Sequence, residues 1–271
     1  MDLIGIIVLV VSFFFLLIVG VPIAYSIGVA GVLTMLVHID SLPALTTYAL
    51  RMASGLDSFA LLAIPFFILA GNIMNSGGIA LRLIDFAKVL VGRLPGGLAV
   101  VNVVANMLFG AISGSAAAAA SAIGSIMTPE MRKAGYDPNF SAAVNISSAT
   151  TGMTIPPSNV LIVYSLASGG VSVSALFMAG YLPGILTGVA IMIVAAFFAA
   201  KAGYTVGERV TLRQGIRCFL RAIPSLMLLV IVIGGILAGW FTATEASAIA
   251  VLYALLLSFF YKELTWKELP G

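Results

Sequence analysis

Ser113, Gly114 and Ser115 interrupt one apolar run, and Thr154, Ile155, Pro156, Pro157, Ser158 and Asn159 interrupt another. No side chain in either interruption is charged, yet these are the places where chemistry can occur. Two consecutive prolines remove two backbone donors and push their predecessors out of the helical region, so residues 160–167 must restart as a separate half-helix. Carbonyls freed before such a break can coordinate a hard cation, while the N–H groups and positive dipole end of the next half-helix can face a carboxylate.

Each interruption also has a plainer reading. A proline pair can simply kink a membrane helix, and a Gly/Ser/Ala-rich stretch can be a smooth packing face on a straight one. Ser158 and Asn159 directly after the prolines argue against the kink, because a kink in lipid needs no polar caps. Gly110, Ser113, Gly114 and Ser115 cluster at one depth and favour an unwound tip over a straight helix. The alanines 116–120 beyond that tip leave a nearly smooth face for another backbone.

The elements that position these breaks follow from composition. Hydrophobic residues make up 61% of the chain and charged residues 8%, with a mean hydropathy of +1.17. Too few polar side chains remain to coat a soluble core, so the fold is all-α and polytopic in a membrane. The run 3–20 follows Asp2 with no basic lead and no small-x-small cleavage pattern, which predicts a retained first span. One cysteine, Cys218, and one histidine, His38, allow neither an internal disulfide nor a His/Cys metal cluster within one chain. The net charge of +3 comes from Lys and Arg in the connections. That pattern fits an inner-membrane protein and not a nucleic-acid binder.

Crossing a bilayer takes roughly 17–25 apolar residues. Runs 3–20 and 22–37 meet at Gly20-Val21-Pro22, either as two spans in a sharp turn or as one kinked element. Runs 60–73, 175–200, 225–239 and 243–261 read as further spans. Segments 44–56 and 79–94 mix Leu and Val with Arg51, Arg82, Asp85, Lys88 and Arg93, the pattern of interfacial helices. Segment 98–127 is cut at 109–115 into halves too short to cross alone, which predicts a re-entrant helical hairpin. Segment 139–167 is a discontinuous helix broken at the proline pair. In 208–221, Arg209, Arg213, Arg217 and Arg221 form one basic stripe beside Leu212, Ile216 and Leu220. That amphipathic helix is expected on the cytoplasmic face against anionic lipid headgroups. After 261, Lys262 to Lys267 reads as an interface exit anchored by Trp266. Glu245, preceded by Thr242 and Thr244, reads as a helix-start carboxylate rather than a proton carrier, and Asp57 as another helix cap.

These motifs resemble the large membrane subunit of tripartite ATP-independent periplasmic (TRAP) transporters, and the likeness runs through the whole chain. It is carried by Gly20-Val21-Pro22-Ile23-Ala24, Ile64-Pro65-Phe66-Phe67-Ile68-Leu69-Ala70-Gly71, residues 110–124, residues 152–159 and Gly239-Trp240-Phe241-Thr242-Ala243-Thr244-Glu245-Ala246. The chain departs from the family pattern at Ala243, where Pro is common, and at Ala116, where a second Ser is frequent. The resemblance implies an inverted-repeat elevator transporter in the bacterial inner membrane, coupled to Na⁺ and taking up small organic anions such as C4-dicarboxylates or sialic acid. It further implies a small four-helix membrane partner and a periplasmic protein that delivers the carboxylate. On this reading, residues 1–59 supply scaffold and arm helices, and 60–200 form the first-repeat transport region. Residues 201–271 hold the Arg helix and the start of a second repeat, so a truncated or split subunit is expected. One Na⁺ is expected at Ser113, Ser115 and the carbonyls near Thr151, Gly152 and Pro156, with Gly114, Pro157, Ser158 and Asn159 facing substrate. The alternatives are a non-transporting membrane scaffold or an intramembrane enzyme; the latter lacks a base at membrane depth, so no enzymatic activity is expected.

Overall fold

The computed structural model describes residues 3–204, 211–261 and 263, and these are helical with no strand among them. The chain divides into two compact units, Met1–Ser58 and Phe59–Gly271.

The first unit holds α1 (Leu3–Ile18), α2 (Ile23–His38) and α3 (Ser41–Leu56). α1 ends where Gly20 adopts φ +89°. The Gly20 N–H donates to the Leu17 carbonyl and the Val21 N–H to the Leu16 carbonyl, both at 3.0 Å, which closes the helix with a left-handed glycine. α2 then folds back on α1, placing His38 so close to Gly5 that a Cβ there would lie 2.5 Å from Nε2. Of the two sequence readings, the turn between two helices is the one observed. α1 and α2 have 16 residues each, about 24 Å at 1.5 Å per residue, and α1 stops two residues short of the expected run. Asp57 does not start a helix: its N–H bonds to the Ala53 carbonyl and it closes α3. The i→i−4 ladder persists to that residue, so Asp57 is a C-terminal cap.

In the second unit a short 3₁₀ turn, Phe59–Leu62, leads into α4 (Ala63–Ser76), followed by α5 (Ile79–Val91). α6 (Gly97–Ser113) and α7 (Ala116–Lys133) come next, then α8 (Pro138–Ala149), a 3₁₀ turn Thr150–Met153, and α9 (Asn159–Ala167). α10 (Val173–Lys201), α11 (Leu212–Leu237) and α12 (Ala243–Phe260) complete it. Among the described residues, four helical segments are long and apolar enough to cross a membrane: Phe59–Ser76, Val173–Lys201, Arg213–Leu237 and Ala243–Phe260. Pro65 sits in the first turn of α4, where its missing N–H costs no helical bond.

α6 is the hub. It is buried on nearly every face, with Phe109, Val101, Val103 and Ile112 in the core, as expected of a helix apolar all round. The Asn102 amide reaches the Met131 sulfur at 3.8 Å, so the start of α6 lies beside the end of α7 and the two form an antiparallel hairpin. The Tyr136 hydroxyl, bonded to the Gly96 carbonyl at 3.2 Å, closes the open end of that hairpin. Tyr136 stacks on Tyr204 with ring centroids 4.1 Å apart. α8 starts because Asp137 accepts from the Phe140 N–H at 2.9 Å and Pro138 occupies its first turn.

One expectation is overturned. The Arg-bearing segment and the run 225–239 are not two helices but one, α11, which passes through Pro224 unbroken. A proline removes one helical bond, but neighbouring groups re-satisfy backbone in a packed bundle. Packing holds this turn in place: Ala222 and Leu228 are fully buried on either side, and the Tyr253 hydroxyl of α12 donates to the Pro224 carbonyl at 2.8 Å, which ties the turn to α12 without replacing the bond lost at Leu220. Arg213, Arg217 and Arg221 are exposed on its first turns; Arg209, Trp266 and the exit around them lie outside the described residues.

Candidate functional site

The two sequence breaks meet. α6 ends as Gly114 turns left-handed at φ +63°, and Ser115 restarts the chain in extended conformation as the N-cap of α7, its Oγ accepting from the Ala118 N–H at 3.3 Å. The Pro156-Pro157 break ends the same way. Ser158 is extended and caps α9, accepting from the Leu161 N–H at 3.3 Å. The two serines have nearly the same backbone, φ −136° and ψ 122° at Ser115 against φ −131° and ψ 125° at Ser158. Two helix N-termini therefore begin at one locus. First-turn amides have no intrahelical acceptor, so those of Ala116, Ala117 and Val160 are donors left over at this point.

Three contacts bind the breaks to each other. The Asn159 N–H donates to the Gly114 carbonyl at 3.2 Å. A Cβ on Gly114 would lie 2.8 Å from the Pro157 carbonyl oxygen, and one on Gly110 would lie 2.5 Å from the Gly152 Cα. At each place a side chain would separate the hairpin from the broken helix, so glycine is required by close approach as well as by φ at Gly114.

Ser113 and Thr151 are fully buried, while Ser115 is half-buried. The Thr151 hydroxyl donates to the Ser148 carbonyl at 2.6 Å, one turn back on its own chain. The Ser113 hydroxyl has only a long contact, 3.5 Å, with the Ser115 carbonyl. The Ser158 hydroxyl is fully buried and spends its proton on the Met153 carbonyl. Gly152 lies within the 3₁₀ turn, its α-carbon side 3.5 Å from the Ser115 carbonyl by the position a Cβ would take. Pro156, Pro157 and Asn159 stand at the tip, and the Asn159 Oδ1 is buried with no hydrogen-bond partner. A buried, unsatisfied amide oxygen costs roughly 1–3 kcal/mol, a cost that a bound donor or cation at this junction, beside Gly114 and the Pro157 carbonyl, would relieve. The donor set is all oxygen, the set hard cations take.

Sequence reasoning missed two supports. Gly180, Gly184 and Gly188 recur at four-residue spacing on α10, and the first two abut the break: a Cβ at Gly180 would lie 2.6 Å from the Thr154 carbonyl, and one at Gly184 2.6 Å from Ile155. The small-xxx-small spacing was the available signal. The second is a buried polar cluster. The Asn106 amide donates to Asn145 Oδ1 at 3.1 Å, Ser148 Oγ at 2.9 Å and Asn102 Oδ1 at 2.7 Å. Asn145 in turn donates to the Ala120 carbonyl at 2.9 Å, so α6, α7 and α8 are fastened just below the tip.

Comparison with known sequences decides the family. Residues 10–271 match the model of the tripartite ATP-independent periplasmic transporter DctM component. The chain belongs to that family. Its members are transporters and not enzymes, which removes the intramembrane-hydrolase alternative, and with the four long apolar helices it makes the chain a multi-pass membrane protein. The chain is 57% identical to the uncharacterized protein YgiK of Salmonella typhimurium over 97% of its own length and 61% of that protein. It is 42% identical to the C4-dicarboxylate TRAP transporter large permease protein DctM of Rhodobacter capsulatus, over 94% of its length and 61% of the relative. A sialic acid TRAP transporter large permease protein of Vibrio cholerae is 40% identical over 89% of the chain and 56% of the relative. The chain thus spans about 61% of the length of the first two relatives.

Proposed function

We propose that the chain forms the first-repeat part of a Na⁺-coupled permease for small organic carboxylates in the bacterial inner membrane. The observation that carries this reading is the meeting of the two breaks: two Ser-capped half-helix N-termini, joined by the Asn159–Gly114 bond, with the buried Asn159 Oδ1 unpartnered between them. On this reading the hairpin is re-entrant, and Na⁺ is held by Ser113, Ser115 and carbonyls near Thr151, Gly152 and Pro156. Gly114, Pro157, Ser158 and Asn159 form the substrate wall. Asn159 contributes its amide oxygen, while Ser158 acts through the cap that holds α9 in place. The leftover amides of Ala116, Ala117 and Val160 supply the positive end that a carboxylate needs.

The relatives named for a C4-dicarboxylate and for sialic acid share only the carboxylate. That is what a site of backbone donors recognises generically. The family description adds the tripartite assembly, so a small four-helix membrane subunit and a periplasmic carboxylate-binding protein are the proposed partners. The opposite wall of the cavity is proposed to lie in the part of such permeases that this chain does not match. An elevator movement of the hairpin-bearing region completes the proposal.

Uptake by the complete complex in proteoliposomes, with and without an inward Na⁺ gradient and across a panel of carboxylates, tests it. Gradient-dependent accumulation of a carboxylate is expected. Accumulation indifferent to Na⁺, or none for any carboxylate, would overturn it.

A further inference from the structure

A second cleft lies far from the hairpin tip in sequence, between α5, the first turns of α11 and the end of α12, with a volume of about 530 Å³. Arg82, Arg221, Asp85 and Glu263 line it together with Leu81, Leu220 and Phe260. Phe260 and Tyr261 close one segment long and apolar enough to cross a membrane, and Arg221 follows Arg213 and Arg217 in the charged N-terminal part of another, a pattern that suits the interface end of both.

Its charges are incompletely paired. The Arg82 guanidinium lies over the Tyr261 ring at 3.5 Å and donates to the Gly78 carbonyl at 2.8 Å, but reaches the Glu263 carboxylate only at 3.8 Å. The Lys88 ammonium lies 2.7 Å from Glu130 and 4.0 Å from Asp85, so Asp85 has the weaker share of it. Burial pushes the Asp85 carboxyl above the usual carboxylate range, with Lys88 and Arg221 only partly opposing that. Arg221 forms no ion pair within 4.0 Å among the described residues. Two guanidinium groups and two carboxylates at one apolar-walled cleft sum to no net charge, which disfavours a simple anion and suits a zwitterion.

We propose that this cleft holds a phosphatidylethanolamine headgroup, with the phosphate against Arg221 and Arg82 and the ammonium against Asp85 and Glu263. Arg presents a donor fork to the phosphate oxygens. The acyl chains then leave along Leu81, Leu220 and Phe260, which are 45%, 58% and 80% exposed. The inference is independent of substrate or ion coupling.

The test is native mass spectrometry of the complete permease, delipidated in mild detergent and offered dioleoyl-phosphatidylethanolamine, dioleoyl-phosphatidylglycerol or inorganic phosphate. One ethanolamine lipid is expected to be retained at least about tenfold better than the glycerol lipid, a difference of about 1.4 kcal/mol. The double variant Arg221→Gln/Asp85→Asn should lose that preference, whereas Arg213→Gln, on the exposed start of α11, should keep it. Equal or better retention of phosphatidylglycerol by the unaltered protein would overturn the proposal. So would competition by inorganic phosphate alone, or a double variant that retains the lipid as before. Should the double variant fail to fold, the lipid preference of the unaltered protein decides.

Discussion

Gly110 and Gly152 lie back to back, so that a Cβ added to Gly110 would come within 2.5 Å of the Gly152 Cα and one added to Gly152 within 2.9 Å of the Gly110 Cα. Neither obstacle is a flexible side chain. Both are backbone, one in the last turn of α6 and one in the 3₁₀ turn before the proline pair. Alanine at either position must push the hairpin away from the broken helix. Gly110→Ala and Gly152→Ala should each cost about 1–3 kcal/mol of stability by overpacking and abolish uptake, read by thermal unfolding and proteoliposome flux. Gly31→Ala, in open space by the same measure, should change neither. Normal flux in either of the first two variants would show that the approach is not needed.

Asn159 separates a binding role from a structural one. Its backbone N–H holds Gly114, and that bond survives substitution; its Oδ1 is buried and unpartnered. Deleting an unsatisfied polar atom removes a penalty and not a bond. Asn159→Ala should therefore leave the unfolding temperature unchanged or slightly raised while cutting Na⁺-dependent uptake by at least about tenfold, some 1.4 kcal/mol of lost stabilisation. A large fall in thermal stability with intact uptake would assign the side chain to folding instead.

Ser115 combines an N-cap with half-exposure at the tip. Threonine keeps a capping oxygen, leucine does not, and losing a cap costs typically about 1 kcal/mol. Ser115→Leu is expected to abolish Na⁺-dependent uptake and Ser115→Thr to preserve most of it. If the leucine variant transports normally, the Na⁺ assignment at this tip is wrong.

The buried amide cluster predicts stability and not selectivity. Asn106→Leu strands Asn145 Oδ1, whose donor is the Asn106 amide, and leaves Asn102 Oδ1 with only the longer bond from the Ser148 hydroxyl at 3.3 Å. Each buried group left unsatisfied costs about 1–3 kcal/mol, reduced because a membrane-inserted unfolded state also finds partners. The expected result is a markedly lower unfolding temperature of the purified complex, with unchanged relative uptake across carboxylates. An altered substrate ranking would place the cluster in the site.

The breaks were legible in the sequence because they rest on backbone chemistry: the proline pair has no donors, and Gly114 at φ +63° must be a residue without a Cβ penalty. The hairpin boundaries were read within a few residues, though α7 continues to Lys133 where the apolar run fades at Met127. Pro224 was misread because a proline inside a membrane helix is tolerated through packing against other helices, here Ala222 and Leu228 buried beside it and Tyr253 of α12 on its carbonyl, and no local pattern announces those contacts. Asp57 is the helix cap expected, but at the end of α3 and not at the start of the next helix, for a local reason. An aspartate between two helical patterns caps either one, and only the ladder bond to Ala53 tells which. Asn102 and Asn106 went unnoticed because isolated amides in an apolar run gain meaning only through partners on another helix. The pairing of Ser115 with Ser158 likewise needed three dimensions, although each serine was visible alone.

Glu245 supplies the last test, because a carboxylate in an apolar run invites a proton-coupling role. The structure puts it to use locally. Its carboxylate accepts from both the Thr242 N–H and the Thr242 hydroxyl at 2.8 Å, while the Thr242 Oγ1 accepts from the Glu245 N–H at 3.3 Å. This is a reciprocal capping box, which satisfies two donors that the start of α12 would otherwise leave open. Glutamine can accept the same two hydrogen bonds through its amide oxygen but cannot take up a proton. Glu245→Gln should therefore preserve uptake and its pH dependence, whereas Glu245→Ala should lower thermal stability by opening the box. Uptake lost in the glutamine variant, with the fold intact, would show that the carboxylate's charge matters to coupling and that the cap is incidental.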